Sequence, residues 1–467
     1  MPMAANGPLV VVTGVSGSGK RTVGQALAER LNLPFTDGDG FHPRDNVEKL
    51  AGGTPLTDAD REPWLDAIAR WLAARTGSGG IVTCSALRRG WRDRLAAAVH
   101  GVVFLQLDAS PELVAERLAG RKDHVMPRDL VRSQFAELEP LHPDENGAVL
   151  PAAGPPPGIV DLAVDALRAP YVMELTSGVH AYVQPDGGWC LNNAGFVSDG
   201  LATLLIDTAA TEARARQLRA AVLASGAPLP TTVVNTHYHG DHTYGNGVFA
   251  SGASIVGHTE CRAEMLATGR HLDLLWPDVE YGDVEITPPN ITYRERLTAH
   301  VGGSEVQLIH PGPAHTTGDT IVWLPQQRIV FTGDLIFHGG TPFVPMGSLT
   351  GSLRALETLR SLGARTVVPG HGPVTDPSVY DTVERYLRYV AALAETSRAA
   401  GLTPLEAARG ADPGEFAGLR ESVRLVANLH RAYAELEGRP LGAPLDPFAA
   451  FGDMAVLNGG VMVPCHA

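Results

Sequence analysis

Short apolar runs alternate with amphipathic stretches through the first third of the chain. Residues 8–13, 80–84 and 102–107 are near-continuous apolar runs of the kind that become buried strands. Residues 23–31 and 111–119 repeat apolar positions at helical spacing. This alternation predicts a parallel sheet with helices on its faces, an α/β domain. A Pro-, Gly- and Ala-rich stretch (141–158) and a short helical pattern (159–167) close this part, and Arg168-Ala169-Pro170 reads as the joint. Beyond it the pattern changes. Runs at 172–175, 179–184, 193–198 and 202–207 are separated by turns such as Pro185-Asp186-Gly187-Gly188, which predicts antiparallel pairing. A helix at 211–224 and a strand at 231–234 follow. Hairpins first and alternation after predict two sheets packed face to face with helices outside. Residues 381–398 and 413–436 read as amphipathic helices, and 456–463 as a docked strand, a candidate homo-oligomer contact. The expected organisation is 1–168, 171–395, and a helical extension with its tail, 396–467.

Composition narrows the partners. Of 467 residues, 44% are hydrophobic and 19% charged, the balance of a globular chain too long for one core. The net charge is −14, with most of the acid excess beyond residue 168, which argues against a nucleic-acid partner. Cys84, Cys190, Cys261 and Cys465 lack CxxC spacing, so neither a disulfide framework nor a thiolate metal site is expected. The first apolar run is too short to span a membrane and has no basic leader, so a cytoplasmic protein with no membrane partner is expected. Of 37 Lys and Arg residues, only Lys20, Lys49 and Lys122 are lysine. A lysine that persists under such a bias marks a place where a compact ammonium does what a wide guanidinium does not.

The first run leads into Gly14-Val15-Ser16-Gly17-Ser18-Gly19-Lys20 and then a helix. This is the context of a phosphate-binding loop. Glycines let backbone N–H groups close on phosphate oxygens, the helix N-terminus adds its dipole, and Lys20 reaches the outer phosphates. The pattern next calls for Ser or Thr, whose hydroxyl ligates Mg²⁺. Arg21 stands there instead, and Thr22 lies about 100° further round the helix. Asp37 and Asp39, at a strand end, can divide two tasks, holding a metal-bound water and accepting a hydroxyl proton. The basic segment 120–126 suits a lid that brings cations onto phosphates.

With GVSGSGK, the stretches DGDGFHPRDNVEKLAGGTPLTDADREPWL, CSALRRGWRD, GRKDHVMP and SQFAELEPL, in this order, resemble the gluconokinase family over residues 8–168. The resemblance implies a P-loop, nucleoside-kinase-like parallel α/β fold that phosphorylates gluconate at its 6-hydroxyl with ATP and Mg²⁺. It implies ATP on Gly14, Val15, Ser16, Gly17, Ser18, Gly19 and Lys20, with Arg121 and Lys122 as lid cations. Asp39 would orient or deprotonate the hydroxyl, with Lys20 as its catalytic cation. Asp37, beside Mg²⁺, and His42, Arg44, Lys49, Ser85 and Arg88 would face the substrate. Arg21 departs from the family's Ser. That leaves a second reading, a module that holds nucleotide or sugar acid without turnover.

The later part carries Thr236-His237-Tyr238-His239-Gly240-Asp241-His242 after an apolar strand. Three imidazoles and a carboxylate so close together are hard to account for by packing, because every buried polar group needs a partner. Further ligand types stand at later strand ends: His315, Asp334 and His371. Together they suffice for two metals sharing one carboxylate. The set resembles the metallo-β-lactamase superfamily over roughly 172–385, an αββα sandwich. The resemblance implies one metal on His237, His239 and His315 and another on Asp241, His242 and His371. Asp334 would bridge them, a hydroxide would be the nucleophile, and Asp207 would orient a ligand imidazole. A complete Asp and His set looks more like glyoxalase-type hydrolases than lactamases with a Cys ligand. Two Zn²⁺, with iron or manganese open, and a small ester, thioester or lactone are therefore expected. Hydrolysis of a sugar lactone yields a sugar acid, which would link the two sites. His258, His300, His310 and His338 read as ordinary polar residues, while His258 and Gly347-Ser348 are also candidates to face the substrate. The chain reads as a bifunctional fusion of a kinase and a metal hydrolase acting on small molecules.

Overall fold

The computed structural model describes residues 7–76, 78–99, 101–119, 128–142 and 145–467. The segment 120–126, with Arg121 and Lys122, lies outside the described residues. The chain divides into two units, Met1–Ala169 and Pro170–Ala467.

The first unit is built on β1 (Leu9–Thr13), β2 (Phe35–Asp37), β3 (Gly80–Thr83), β4 (Val102–Asp108) and β5 (Gly147–Pro151). They form one sheet in the order β2-β3-β1-β4-β5, with every pair parallel. Val10, Val11 and Val12 are fully buried, which is why β1 reads as a continuous apolar run: a parallel sheet is covered on both faces. Helix Lys20–Leu31 contributes Val23 and Leu27 to that core, and helix Asp58–Ala73 contributes Trp64, Leu65, Ile68 and Leu72. Because the strands all point one way, the segments after β1, β2 and β3 emerge at one edge of the sheet.

In the second unit β6 (Tyr171–Thr176), β7 (Val179–Val183), β8 (Ala194–Ser198), β9 (Thr203–Ile206), β10 (Thr232–Val234), β11 (Ser254–His258) and β12 (Ile291–Tyr293) form one sheet in chain order. It is antiparallel from β6 to β9 and parallel from β9 to β12. A second sheet runs β13 (Arg296–Val301), β14 (Ser304–Ile309), β15 (Ile321–Leu324), β16 (Ile329–Phe331) and β17 (Thr366–Val368), parallel only at β16–β17. Their inner faces meet through Ala181, Val197, Leu204 and Val234 against Val306, Leu308, Val322 and Phe331. Helix Glu212–Ala224 covers the outside of the first sheet through Leu218 and Val222. Helices Leu349–Leu362, Val379–Ala399, Arg424–Leu436 and Pro447–Leu457 cover the second. The result is an αββα sandwich whose last helices share its core. No helix among the described residues is long and apolar enough to cross a membrane.

Two expectations near the end of the chain are overturned. Residues 456–463 form no strand. Helix Pro447–Leu457 takes up the first of them, with Pro447 in its first turn and Asp446 accepting from the Phe448 N–H at 2.9 Å. Ala450, Phe451 and Met454 repeat at helical spacing and are buried, a period that the flanking glycines obscure in a short run. The helix expected over 413–436 is broken into a 3₁₀ turn, Gly414–Gly418, and helix Arg424–Leu436. Between them Glu421 takes a left-handed conformation, φ 59°.

Candidate active sites

In the first unit the chain leaves β1 at Gly14, whose φ of 138° and close approach to the Leu107 carbonyl exclude a side chain. The loop is braced from outside. Arg117 donates to the Ser18 carbonyl at 2.7 Å, and the Ser16 N–H donates to Gln134 at 2.7 Å. Lys20 opens the helix and donates to the Val15 carbonyl at 3.0 Å, so its ammonium rests on the loop itself. Asp37, at the end of β2, accepts from the Thr83 hydroxyl at 2.6 Å and from the Asp39 N–H at 3.3 Å. Its other oxygen lies 3.5 Å from Nε of Arg21. The residue that departs from the loop pattern therefore pairs with the carboxylate expected beside Mg²⁺.

The residues expected on the sugar side divide. Asp39 is exposed in the turn after β2. His42 stacks on Trp64 at 4.4 Å, and burial lowers its pKa. Lys49 donates to Asp60 at 2.6 Å, and this bond leads the causes that hold the Asp60 carboxyl at about 2. Arg88 pairs with Glu137 at 3.2 Å and with Asp58 at 3.4 Å. Lys49 and Arg88 thus each pair with a carboxylate in the first turn of helix Asp58–Ala73, Asp60 and Asp58. Ser85 follows β3, and its carbonyl accepts from the Thr13 hydroxyl beside the loop. Arg44 stands apart, its side chain 90% exposed and paired with Glu48.

In the second unit the predicted ligands leave four strand ends: His237, His239, Asp241 and His242 after β10, His315 after β14, Asp334 after β16 and His371 after β17. They gather into two buried groups, His237, His239, His315 and Asp334, and Asp241, His242 and His371, with the ligand atoms of each group within 4.8 Å of one another. His239 Nδ1 lies 3.1 Å from His237 Nε2 and 2.9 Å from His315 Nε2. Asp334 carboxylate oxygens lie 3.1 Å from His242 Nε2 and 3.4 Å from both His315 Nε2 and His371 Nε2. His371 Nε2 is 3.3 Å from Asp241. Tetrahedral nitrogen ligands about 2.0 Å from an ion are about 3.3 Å apart, so these spacings suit a cation between them.

Three further observations fit a metal. His242 Nε2 and Asp334 Oδ1 face each other, fully buried and without a hydrogen bond. Three of the five outer ring nitrogens are already engaged: His242 Nδ1 on Asp207 at 2.8 Å, His237 Nδ1 on Thr236 at 3.1 Å, and His315 Nδ1 on the Phe343 carbonyl, while His239 Nε2 and His371 Nδ1 are buried without a partner. Burial, then the charge of His242, holds His237 well below the usual histidine range; burial holds His315 at about 4. Both imidazoles are therefore neutral at pH 7, the form that ligates. Burial alone would raise the Asp334 pKa, but the charges of His371 and His242 outweigh it and hold it well below the ordinary value. Gly370 is needed here, because a Cβ would fall 2.0 Å from Asp334 Oδ1.

Asp207 sits in a left-handed conformation, φ 59°, that its contacts hold in place. It accepts from the Thr236 N–H at 2.7 Å and the Thr236 hydroxyl at 2.7 Å, besides contacting His242. Asp207→Asn is expected to lower metal affinity about 10- to 100-fold, read by competition with a chromophoric chelator. Unchanged affinity would remove the orienting role.

A chamber of about 370 Å³ opens onto this centre, its floor including His239, Asp241, His315, Asp334 and His371. Its walls include residues that the chain's local patterns do not mark: Glu264, His271 and Arg424. Burial pushes the Glu264 carboxyl up to about 8. Arg424 belongs to a buried polar stripe, Arg424, Asn428 and Arg431, on the inward face of its helix. The stripe binds the loop 341–345: Arg424 donates to the Thr341 carbonyl at 3.0 Å, Asn428 to Pro342 at 2.8 Å, and Arg431 to Pro345 at 3.0 Å. The same loop carries the Phe343 carbonyl that orients His315. Polar residues at i, i+4 and i+7 on an apolar face were the available signal. His258 caps helix Thr259–Thr268 and stacks on His310 at 3.8 Å, while Ser348 caps helix Leu349–Leu362; neither lines the chamber.

In comparison with known proteins the two units match different families. The family model described as Shikimate kinase matches residues 16–142, and that described as Metallo-beta-lactamase superfamily matches residues 187–371. A gluconokinase of Gluconobacter oxydans (strain 621H) is 46% identical over 138 residues, 29% of this chain and 78% of that protein. The thermoresistant gluconokinase of Escherichia coli (strain K12) is 36% identical over 163 residues, 34% of this chain and 93% of that protein. Among solved structures, a metallo-beta-lactamase from Pontibacter korlensis is 24% identical, covering 47% of this chain and 99% of that one at a TM-score of 0.39.

Proposed function

The chain belongs to the gluconokinase family through its first unit and carries a metallo-β-lactamase superfamily domain in its second, and on that premise we propose one protein with two reactions. The first is transfer of the ATP γ-phosphoryl group to the 6-hydroxyl of gluconate. The loop Gly14–Lys20 would hold the nucleotide, Asp37 would stand beside Mg²⁺, and Asp39 would orient the hydroxyl and take its proton. His42, Lys49, Ser85 and Arg88 would hold the sugar acid, joined by Arg44 and the lid cations Arg121 and Lys122. Identity to gluconokinases across most of their length carries this reading.

The second reaction is hydrolysis of a small ester, thioester or lactone at a centre of two divalent ions, zinc by its donor set. Bound ions would supply a Lewis acid and a water of lowered pKa. His237, His239 and His315 would hold one, Asp241, His242 and His371 the other, with Asp334 shared. Asp207 fixes the His242 ring, and the Phe343 carbonyl fixes His315. The two buried ligand groups carry this reading. A screen of the full chain against lactones, thioesters and aryl esters, with and without chelator and with His237→Ala as control, tests it. Hydrolysis that survives both chelation and that variant would exclude the site.

The Arg21–Asp37 pair favours a second reading of the first unit, binding of nucleotide and sugar acid with little turnover. A guanidinium cannot ligate Mg²⁺, and it competes for the carboxylate beside it. Arg21→Ser is expected to raise kcat/KM for gluconate about tenfold and to lower the Mg²⁺ needed for half-maximal rate. A coupled ADP assay reads both. Turnover like that of an ordinary kinase in the unaltered chain, with no gain in the variant, would remove the binding-only reading.

A further inference from the structure

The chamber above the histidine cluster has an unusual wall. Arg424 is 1% exposed, and burial lowers its pKa against the opposing charges of Glu421, Asp334 and Asp241. Its guanidinium lies 4.0 Å from the centre of the Trp189 ring, 4.8 Å from Phe337 and 5.7 Å from Phe343. One N–H donates to the Thr341 carbonyl, while Nε is buried with no partner. A buried cation with an unspent donor is costly unless something completes it. Among the chamber's lining residues Arg424 is the one Arg or Lys. The rest of the wall is largely apolar, including Leu275, Trp276, Met346 and Phe451. At the rim Leu274 and Phe448 are 74% and 75% exposed, large apolar side chains left in water.

Resting on the hydrolase reading of this site, we propose that Arg424 anchors a carboxylate of the substrate, whose apolar acyl or aryl body fills the chamber between the rim and the metal ligands. The charge decides the anion. One guanidinium, with one donor already on Thr341, balances a single carboxylate and leaves a phosphate dianion under-compensated. The walls decide the body. A polyhydroxyl lactone would bury hydroxyls against Leu, Trp and Phe side chains with few partners, whereas an alkyl or phenyl group is driven there by the area it removes from water. This substrate class differs from the sugar lactone that would link the two halves.

Trp189 and Trp276 line the chamber, so binding can be read by tryptophan fluorescence. The probes are 4-phenylbutyrate and its uncharged amide, titrated at pH 8 into the full chain, as purified and after chelation. The acid is expected to bind at least tenfold more tightly than the amide in both preparations. Arg424→Gln should close that gap, and Arg424→Lys, which keeps the charge, should narrow it only several-fold. Equal binding of acid and amide to the unaltered chain overturns the proposal and needs no variant. A gap that disappears on chelation assigns the acid to the ions and also overturns it, as does a gap that persists in a folded Arg424→Gln protein. A preserved gap beside absent hydrolysis by the unchelated chain would count against the hydrolase reading alone.

Discussion

Asp334→Asn is expected to lower metal-dependent hydrolysis about 10³-fold or more, the several kcal/mol that a metal centre contributes to charge stabilisation. Bound metal should fall with it. Asp334 lies within 3.8 Å of ring nitrogens on His237, His242, His315 and His371, so it reaches members of both ligand groups. The amide keeps the shape of the carboxylate and removes its charge. Cations held by these residues would lose that anion, and His242 and His371 lose the charge that keeps their pKa values raised against burial. Elemental analysis of purified protein and rates on the best substrate of the screen read the two effects separately. Metal content and rate both within twofold of the unaltered chain would show that Asp334 is not shared.

Much of this architecture is legible along the chain because it rests on local patterns. The parallel sheet of the first unit announces itself in Val10, Val11 and Val12, apolar without alternation because both faces of β1 are covered. The turn to antiparallel pairing after residue 170 is legible in short strands with Gly- and Asp-rich turns. The ligand residues stand out because packing alone gives no reason to crowd so many His and Asp side chains at strand ends, whereas a bound cation does. What stays hidden depends on contacts remote in sequence. Arg424 reaches the chamber only because helix Arg424–Leu436 packs on the outer layer and its polar stripe meets residues 341–345. The Arg21–Asp37 pair is another such case. Arg21 reads from the loop pattern as a missing hydroxyl, and the fold adds that its charge falls on the neighbouring carboxylate. The tail helix is obscured for a different reason: an apolar run flanked by glycines carries too few turns to show a period of 3.6.

Lys20→Arg is expected to cost the kinase about 10² in kcat/KM for ATP even though the charge is kept, the scale of losing one preorganised donor to a developing anion. Lys20 is the first residue of helix Lys20–Leu31 and reaches across the loop to the Val15 carbonyl at 3.0 Å. The space it crosses is closed by Gly14, Gly17 and Gly19, all in positive-φ conformations that turn the backbone inward. A compact ammonium fits inside such a loop and can turn from the carbonyl to a phosphate oxygen. A guanidinium is planar and wider, and its donors are fixed in a fork. The chain itself argues for the distinction: it uses arginine for nearly every basic position yet keeps lysine here. The same substitution should weaken nucleotide binding measured without gluconate, so the prediction holds whether the first unit turns over or only binds. Initial rates of ADP formation and a direct nucleotide titration check the two arms. If the arginine variant binds ATP and turns over as the unaltered chain does, the loop is not the phosphate site, and Arg21 then has no metal ligand to replace.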